Sequence, residues 1–205
     1  MGQGLKSPIG PRAVHLCVDM QRLFGPGGPW PTPWAPRILP VIVELAGRVP
    51  RRTLFSRFIP PHAPEALPGT WRQLYSKWRE VTQAQLAPEL LELVTELQRF
   101  SPPAQFVDKT RYSAFSSPSL LPLLAHLGAD TLVLTGAETD VCILATLFDA
   151  VDYGFRVVVA RDAVCSSSDA GHDAVLHMLS QRLSIQVEVA EMEEILSSWR
   201  TVDAA

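Results

Sequence analysis

Asp19, Lys109 and Cys142 are the residues of this chain whose types and positions suit nucleophilic chemistry. A thiol at the start of a helix feels the positive end of the helix dipole, and a lysine ammonium nearby lowers its pKa further. A carboxylate beside them can take the thiol proton. Position along the chain suggests that they meet. Asp19 ends the apolar run 13–18, Lys109 follows Phe106 and Val107 by two residues, and Cys142 lies seven residues beyond Thr135, near the start of a helical pattern that begins at Asp140. Each has a plainer reading as well. An aspartate after a strand often caps a turn, a lone lysine in a loop is usually solvated, and a cysteine in an apolar helix is often a small buried hydrophobe. Cys17, in mid-run, reads as packing, and Cys165 as a loop residue with no assigned role.

The elements that must position these residues show as short β-prone runs at 13–18, 52–58, 105–107, 131–135, 156–159 and 185–189. Helical patterns lie between them at 38–47, 88–100, 119–127, 140–153, 170–180 and 192–199. The alternation predicts a single α/β domain over residues 1–205: a three-layer αβα Rossmann-like fold around a six-stranded parallel sheet. Nearly unbroken apolar runs such as TLVLT and RVVVA suit strands buried on both faces. In such sheets ligands bind beyond the carboxyl ends of the strands, near the switch in strand order, which is where all three candidates fall. Eighteen prolines, most of them before residue 104, mark two loop excursions at 25–36 and 58–68.

Composition narrows the function classes. Hydrophobic residues make up 47% of the 205 and charged ones 19%, enough apolar side chains to bury a core. A net charge of −3 argues against a nucleic-acid partner. No apolar run approaches a membrane span, and the first residues lack a secretory pattern, so a cytoplasmic protein without a membrane partner is expected. Three widely spaced cysteines fit neither a disulfide framework nor a zinc site.

The segment GAETDVC (136–142) closely resembles the nucleophile loop of the isochorismatase-like cysteine hydrolases, the superfamily that includes nicotinamidases and N-carbamoylsarcosine amidases. VDMQRLF (18–24) resembles the family's first-strand aspartate motif, and VDKTRYSAF (107–115) its lysine motif. RDAVCSSSDAGHDAVL (161–176) is similar to its later Asp-Ala segment. The resemblance implies Cys142 as nucleophile, Asp19 as general acid/base and Lys109 as the cation that stabilises the thiolate. It also implies a non-proline cis peptide between Ala137 and Glu138, with the backbone N–H groups of Glu138 and Cys142 forming an oxyanion hole. The implied reaction is hydrolysis of a linear amide C–N bond in a small molecule through a thioester, with a Cys142 of low pKa that alkylates rapidly near neutral pH.

Two departures matter. Nicotinamidases carry a metal site on an Asp-x-His pattern after the second strand, but here SRFIPPHAP (56–64) places Phe58 and Pro60 at those positions. His62 alone cannot supply a ligand set, so neither a metal nor another cofactor is expected. True isochorismatases cleave a vinyl ether without the cysteine, which leaves ether hydrolysis as an alternative. A catalytically silent binding or structural member is another, since fold does not fix function.

Aromatic residues cluster in the proline-rich loops and the lysine motif. Phe24, Arg57, Trp78, Tyr112 and Phe115 are the expected substrate contacts, with Arg57, Arg72 or Arg111 available to a substrate carboxylate or simply solvated. Trp71, Tyr75 and Trp78, spaced by four and three, form either the buried stripe of a helical segment or a lid. Family resemblance and apolar loops also suggest a homo-oligomer, dimer or tetramer.

Overall fold

Side-chain alternation along the first strand sets up the layers. In β1 (Ala13–Val18), Ala13 and Cys17 enter one core, while Val14, Leu16 and Val18 enter the other. The computed structural model describes residues 4–200. In it, β1 pairs in parallel with β2 (Thr53–Phe58) and β4 (Thr131–Ala137), with Cys17 level with Phe55 on one side and Thr135 on the other. The edges are β3 (Gln105–Lys109) beyond β2, and β5 (Arg156–Cys165) then β6 (Val187–Ala190) beyond β4. All five pairings are parallel, in the order β3-β2-β1-β4-β5-β6.

One face is covered by α1 (Ala35–Arg48), through Ile38, Ile42 and Leu45, together with Leu97 and the C-terminal helix Met192–Ser198. The other face is covered by helices Leu120–His126, Leu144–Asp152 and Asp169–Arg182, through residues such as Leu124, Leu147 and Leu179. Numbered in chain order, the helices are α1, α2 (Gly69–Lys77), α3 (Thr95–Gln98), then α4, α5 and α6 on the second face, and α7 at the C-terminal end. A third cluster of Leu23, Phe58, Tyr75, Val81 and Leu86 lies beneath the proline-rich excursions.

The predicted fold class is the one observed, with local differences. The pattern at 88–100 predicts one helix, but the chain forms a 3₁₀ turn at Pro88–Leu91 and the single-turn α3. Tertiary pairing takes the backbone between them: Leu93 bridges to Gln21, Arg22 N–H donates to the Glu92 carbonyl, and Val94 N–H to that of Met20. Helix α2 forms within the proline-rich region and carries Trp71 and Tyr75. Lys109 is the last residue of β3 rather than a loop residue, and Cys165 likewise ends β5, in register with Ala137. Among the described residues no helix is long and apolar enough to cross a membrane.

Candidate active site

The order of strands reverses between β1 and β4, and the chain segments leaving these two strands diverge there. Asp19 is the first residue after β1. Its φ of 54° is a left-handed conformation that aspartate tolerates better than most residues, and its N–H is held by the carbonyl and the hydroxyl of Ser56, each at 3.2 Å. The Ser56 hydroxyl also donates to Asp19 Oδ1 at 2.6 Å. After β4, Gly136 takes φ 105° directly against β1, where an added Cβ would overlap the Val18 carbonyl oxygen. The Ala137–Glu138 peptide is cis. A π-type turn over Thr139–Ile143 then carries Cys142 into α5.

These segments bring the three candidates into mutual contact. Lys109 Nζ lies 2.7 Å from Asp19 Oδ2 and 3.3 Å from Cys142 Sγ. It also donates to the carbonyls of Arg111 (3.0 Å) and Tyr112 (2.8 Å), and it sits 4.9 Å from the centre of the Phe58 ring. Asp19 and Lys109 are each 1% exposed and Cys142 is 8% exposed, so the ion pair is dry while the sulfur is at the surface of a cleft.

Sequence spacing alone suggests a depressed thiol pKa, and the geometry corrects this. Burial pushes the Cys142 thiol up, the charge of Asp19 pushes it further, and Lys109 only partly opposes them. One ammonium already neutralised by a carboxylate cannot fully stabilise a second buried anion. Burial likewise works against the Lys109 cation, but Asp19 and Cys142 outweigh it and hold its pKa above the usual lysine value. The other two thiols are pushed up to about 12 by burial, Cys17 inside β1 and Cys165 with a further contribution from Glu138.

Above Cys142 opens a cleft of about 420 Å³. Phe24, Trp30, Phe58, Leu74, Trp78 and Tyr112 line it, together with Glu138, Val141 and Ser167. Of the five expected substrate contacts, Phe24, Trp78 and Tyr112 line this cleft, whereas Arg57 and Phe115 lie elsewhere. Arg57 is drawn off by Asp108 at 2.7 Å and Glu92 at 3.2 Å and stacks on Phe106. Phe115 packs on Tyr153 and Phe155. Arg72 donates to the Leu67 carbonyl, and Arg111 donates to Thr110 while lying over Trp71. The aromatic stripe divides its duties: Tyr75 is buried in the third cluster, and Trp78 faces the cleft. His62 is exposed, and among the described residues no group of three or more His, Cys, Asp or Glu side chains is placed to hold a metal ion.

Three positioning residues went unassigned in the sequence. Ser56 orients Asp19. Thr146 donates to the Cys142 carbonyl at 2.7 Å and accepts from Ala114 N–H at 3.0 Å, tying the turn that carries Cys142 to the loop after Lys109. The Gln21 amide exchanges bonds with the Phe58 backbone and donates to the Leu91 carbonyl, fastening the loop after β1 to the cleft wall. Only Thr146 had a local signal, its position one turn after Cys142, where threonine commonly bonds back to the carbonyl four residues earlier.

Comparison with known proteins agrees with this architecture. Residues 13–191 match the isochorismatase domain family. The chain is 31% identical to maleamate amidohydrolase of Pseudomonas putida over 187 residues, 84% of this chain and 81% of that protein. It is 32% identical to the phenazine biosynthesis protein PhzD1 of Pseudomonas aeruginosa over 188 residues, 89% of this chain and 86% of that one. The crystal structure of a cysteine hydrolase from Pseudomonas syringae pv. phaseolicola superposes with a TM-score of 0.79 at 22% identity, covering 95% of this chain and 98% of that chain, a likeness of fold. With a family match that runs from the first residue of β1 to just past β6, the chain belongs to the isochorismatase family of hydrolases.

Proposed function

We propose that this hydrolase cleaves the linear amide C–N bond of a small molecule, with Cys142 as nucleophile, Asp19 as general acid/base and Lys109 as the cation that binds both. The observation that carries the reading is the Lys109 ammonium 2.7 Å from the Asp19 carboxylate and 3.3 Å from the Cys142 sulfur, where Cys142 lines a largely apolar cleft. The family's amide-cleaving member, maleamate amidohydrolase, supports it.

In the first half-reaction Asp19 accepts the Cys142 proton as sulfur bonds to the amide carbon. The oxyanion is received by the backbone N–H groups of Glu138 and Cys142 beyond the Ala137 carbonyl, donors that act only as charge develops. Asp19 then passes the proton to the departing nitrogen and the C–N bond breaks, leaving a thioester. In the second half, Asp19 takes a proton from water as the hydroxyl adds to the thioester carbon. Collapse releases the carboxylic acid, and the proton returns to sulfur. Lys109 stays charged throughout, balancing whichever of Asp19 and Cys142 carries the negative charge.

The test is ammonia release from a panel of small amides, ureas and carbamoyl compounds. Cys142→Ala should lower turnover by at least about 10⁴-fold without altering the fold, and the wild-type protein should accumulate an acyl adduct on Cys142 detectable by mass spectrometry. Amide turnover that survives Cys142→Ala would overturn the assignment. The match to the isochorismatase domain family favours one second reading, cleavage of a vinyl ether by acid catalysis from Asp19. That activity would survive Cys142→Ala and disappear in Asp19→Asn.

A further inference from the structure

The cleft above Cys142 is asymmetric in charge. Among the described residues no lysine or arginine lines it, and Glu138 is the one acidic residue that does. Nearby cations are occupied elsewhere: Arg57 by Asp108 and Glu92, Arg72 by the Leu67 carbonyl, and Arg111 by Thr110 and the Trp71 ring. Lys77 lies 5.9 Å from the Trp78 ring centre without lining the cleft, and Lys109 sits beneath the sulfur with its side chain fully buried against Asp19. The sequence suggests an arginine waiting for a substrate carboxylate, but the assembled cleft presents the opposite charge.

Glu138 stands four residues before Cys142 on the same loop and borders the same cavity. Its Oε1 accepts from Ser167 N–H at 2.9 Å, and its other oxygen has no partner among the described residues. The same cleft is lined by Trp30, Trp78, Tyr112 and Phe58, with Trp30 and Trp78 packed edge to face, centroids 6.0 Å apart. Several aromatic rings, a carboxylate that keeps one oxygen without a partner among the described residues, and no lysine or arginine among the lining residues form a site that attracts positive charge, through the ring quadrupoles and through a charge-assisted contact.

We infer that the substrate is a small amide bearing a cationic nitrogen, an ammonium or quaternary ammonium a few bonds from the scissile carbonyl, and that Glu138 selects it. This rests on the amidase reading for its chemistry, but its recognition step is measured separately. Three ligands of similar size separate the possibilities: trimethylammonioacetamide, its uncharged isostere 3,3-dimethylbutanamide, and malonamate. Their affinities are read by calorimetry on Cys142→Ala, and their ammonia release on the wild-type protein. The cation should bind at least about 10-fold more tightly than its isostere, with malonamate weakest. Adding Glu138→Gln to Cys142→Ala should bring the ratio of cation to isostere to within about 2-fold of unity.

Equal binding of cation and isostere, tighter binding of malonamate, binding of none of the three, or a cation preference untouched by Glu138→Gln would each overturn the inference. The comparison of ligands on Cys142→Ala stands without the Glu138 variant, should that variant fail to fold. If the cation binds selectively but the wild-type protein releases no ammonia from it, the site assignment holds and the amidase reading is the one that fails.

Discussion

At Cys142 two acidic groups share one cation. Lys109 touches both Asp19 and the sulfur, and burial together with the charge of Asp19 pushes the thiol above its ordinary range despite the ammonium beside it. The consequence runs against the simple expectation that a lysine activates its neighbouring thiol at rest. Iodoacetamide should modify Cys142 slowly at pH 7, faster as pH rises past the ordinary thiol range. Asp19→Asn should accelerate that modification by about 10-fold or more at pH 7 while abolishing turnover, because Lys109 is then free to stabilise the thiolate. Alkylation that is unchanged or slower in Asp19→Asn would show that Asp19 does not hold the thiol in its protonated form. Ser56→Ala removes the hydroxyl that donates to Asp19 Oδ1, and kcat/KM should fall about 10- to 100-fold, the cost of losing one hydrogen bond to a charged group.

At the scale of elements, the site depends on how closely β4 approaches β1. Gly136 lies level with Val18, and its backbone lies where no side chain fits. Gly136→Ala should destabilise the fold by at least about 2 kcal/mol in urea unfolding, through both the φ of 105° and the overlap with the Val18 carbonyl. A stability unchanged within about 0.5 kcal/mol would mean that the strands separate freely there. Thr146 is the corresponding link on the other side, joining α5 to the loop after Lys109. The proline-rich excursions and α2 add the third cluster, a small core anchored on the sheet through Phe58 at the end of β2, on which much of the cleft wall rests.

For the molecule as a whole, the central sheet carries one concealed pH dependence. His15 in β1 is fully buried between Thr53 at 3.2 Å and Thr135 at 2.8 Å, and burial lowers its pKa to about 3. The unfolded chain binds this proton near pH 6.5 and the folded chain only near 3, so unfolding takes up a proton in that window. The stability from His15 is complete above about pH 6.5 and falls by up to about 1.4 kcal/mol per unit as pH drops toward 3. In urea titrations between pH 6 and 4.5, His15→Gln should show a slope shallower by about that amount, and identical slopes would exclude His15 as the source.

Strand identity, parallel class and the strand-end positions of the three candidate residues were legible in the sequence because they depend on local pattern. Buried parallel strands must be apolar, and a site at the switch in strand order must follow strands directly, so 13–18 and 131–135 located Asp19 and Cys142 without coordinates. The break in the 88–100 helix was not legible, since its backbone bonds go to Met20, Gln21 and Arg22, some seventy residues away. Ser56 and Gln21 were hidden for the same reason: nothing local to either announces its partner. Charge in the cleft was decided only by tertiary structure. Composition offered several arginines near the site, but ion pairs with distant Asp108 and Glu92 drew Arg57 away, the Leu67 carbonyl one turn back took Arg72, and the turn into α5 left Glu138 on the cleft that Cys142 lines. The sequence by itself determined the fold class and which candidate groups fall at the carboxyl ends of the strands; long-range packing alone determined the direction of the Cys142 pKa shift and the charge lining the cleft, because both depend on which groups lie within a few ångströms.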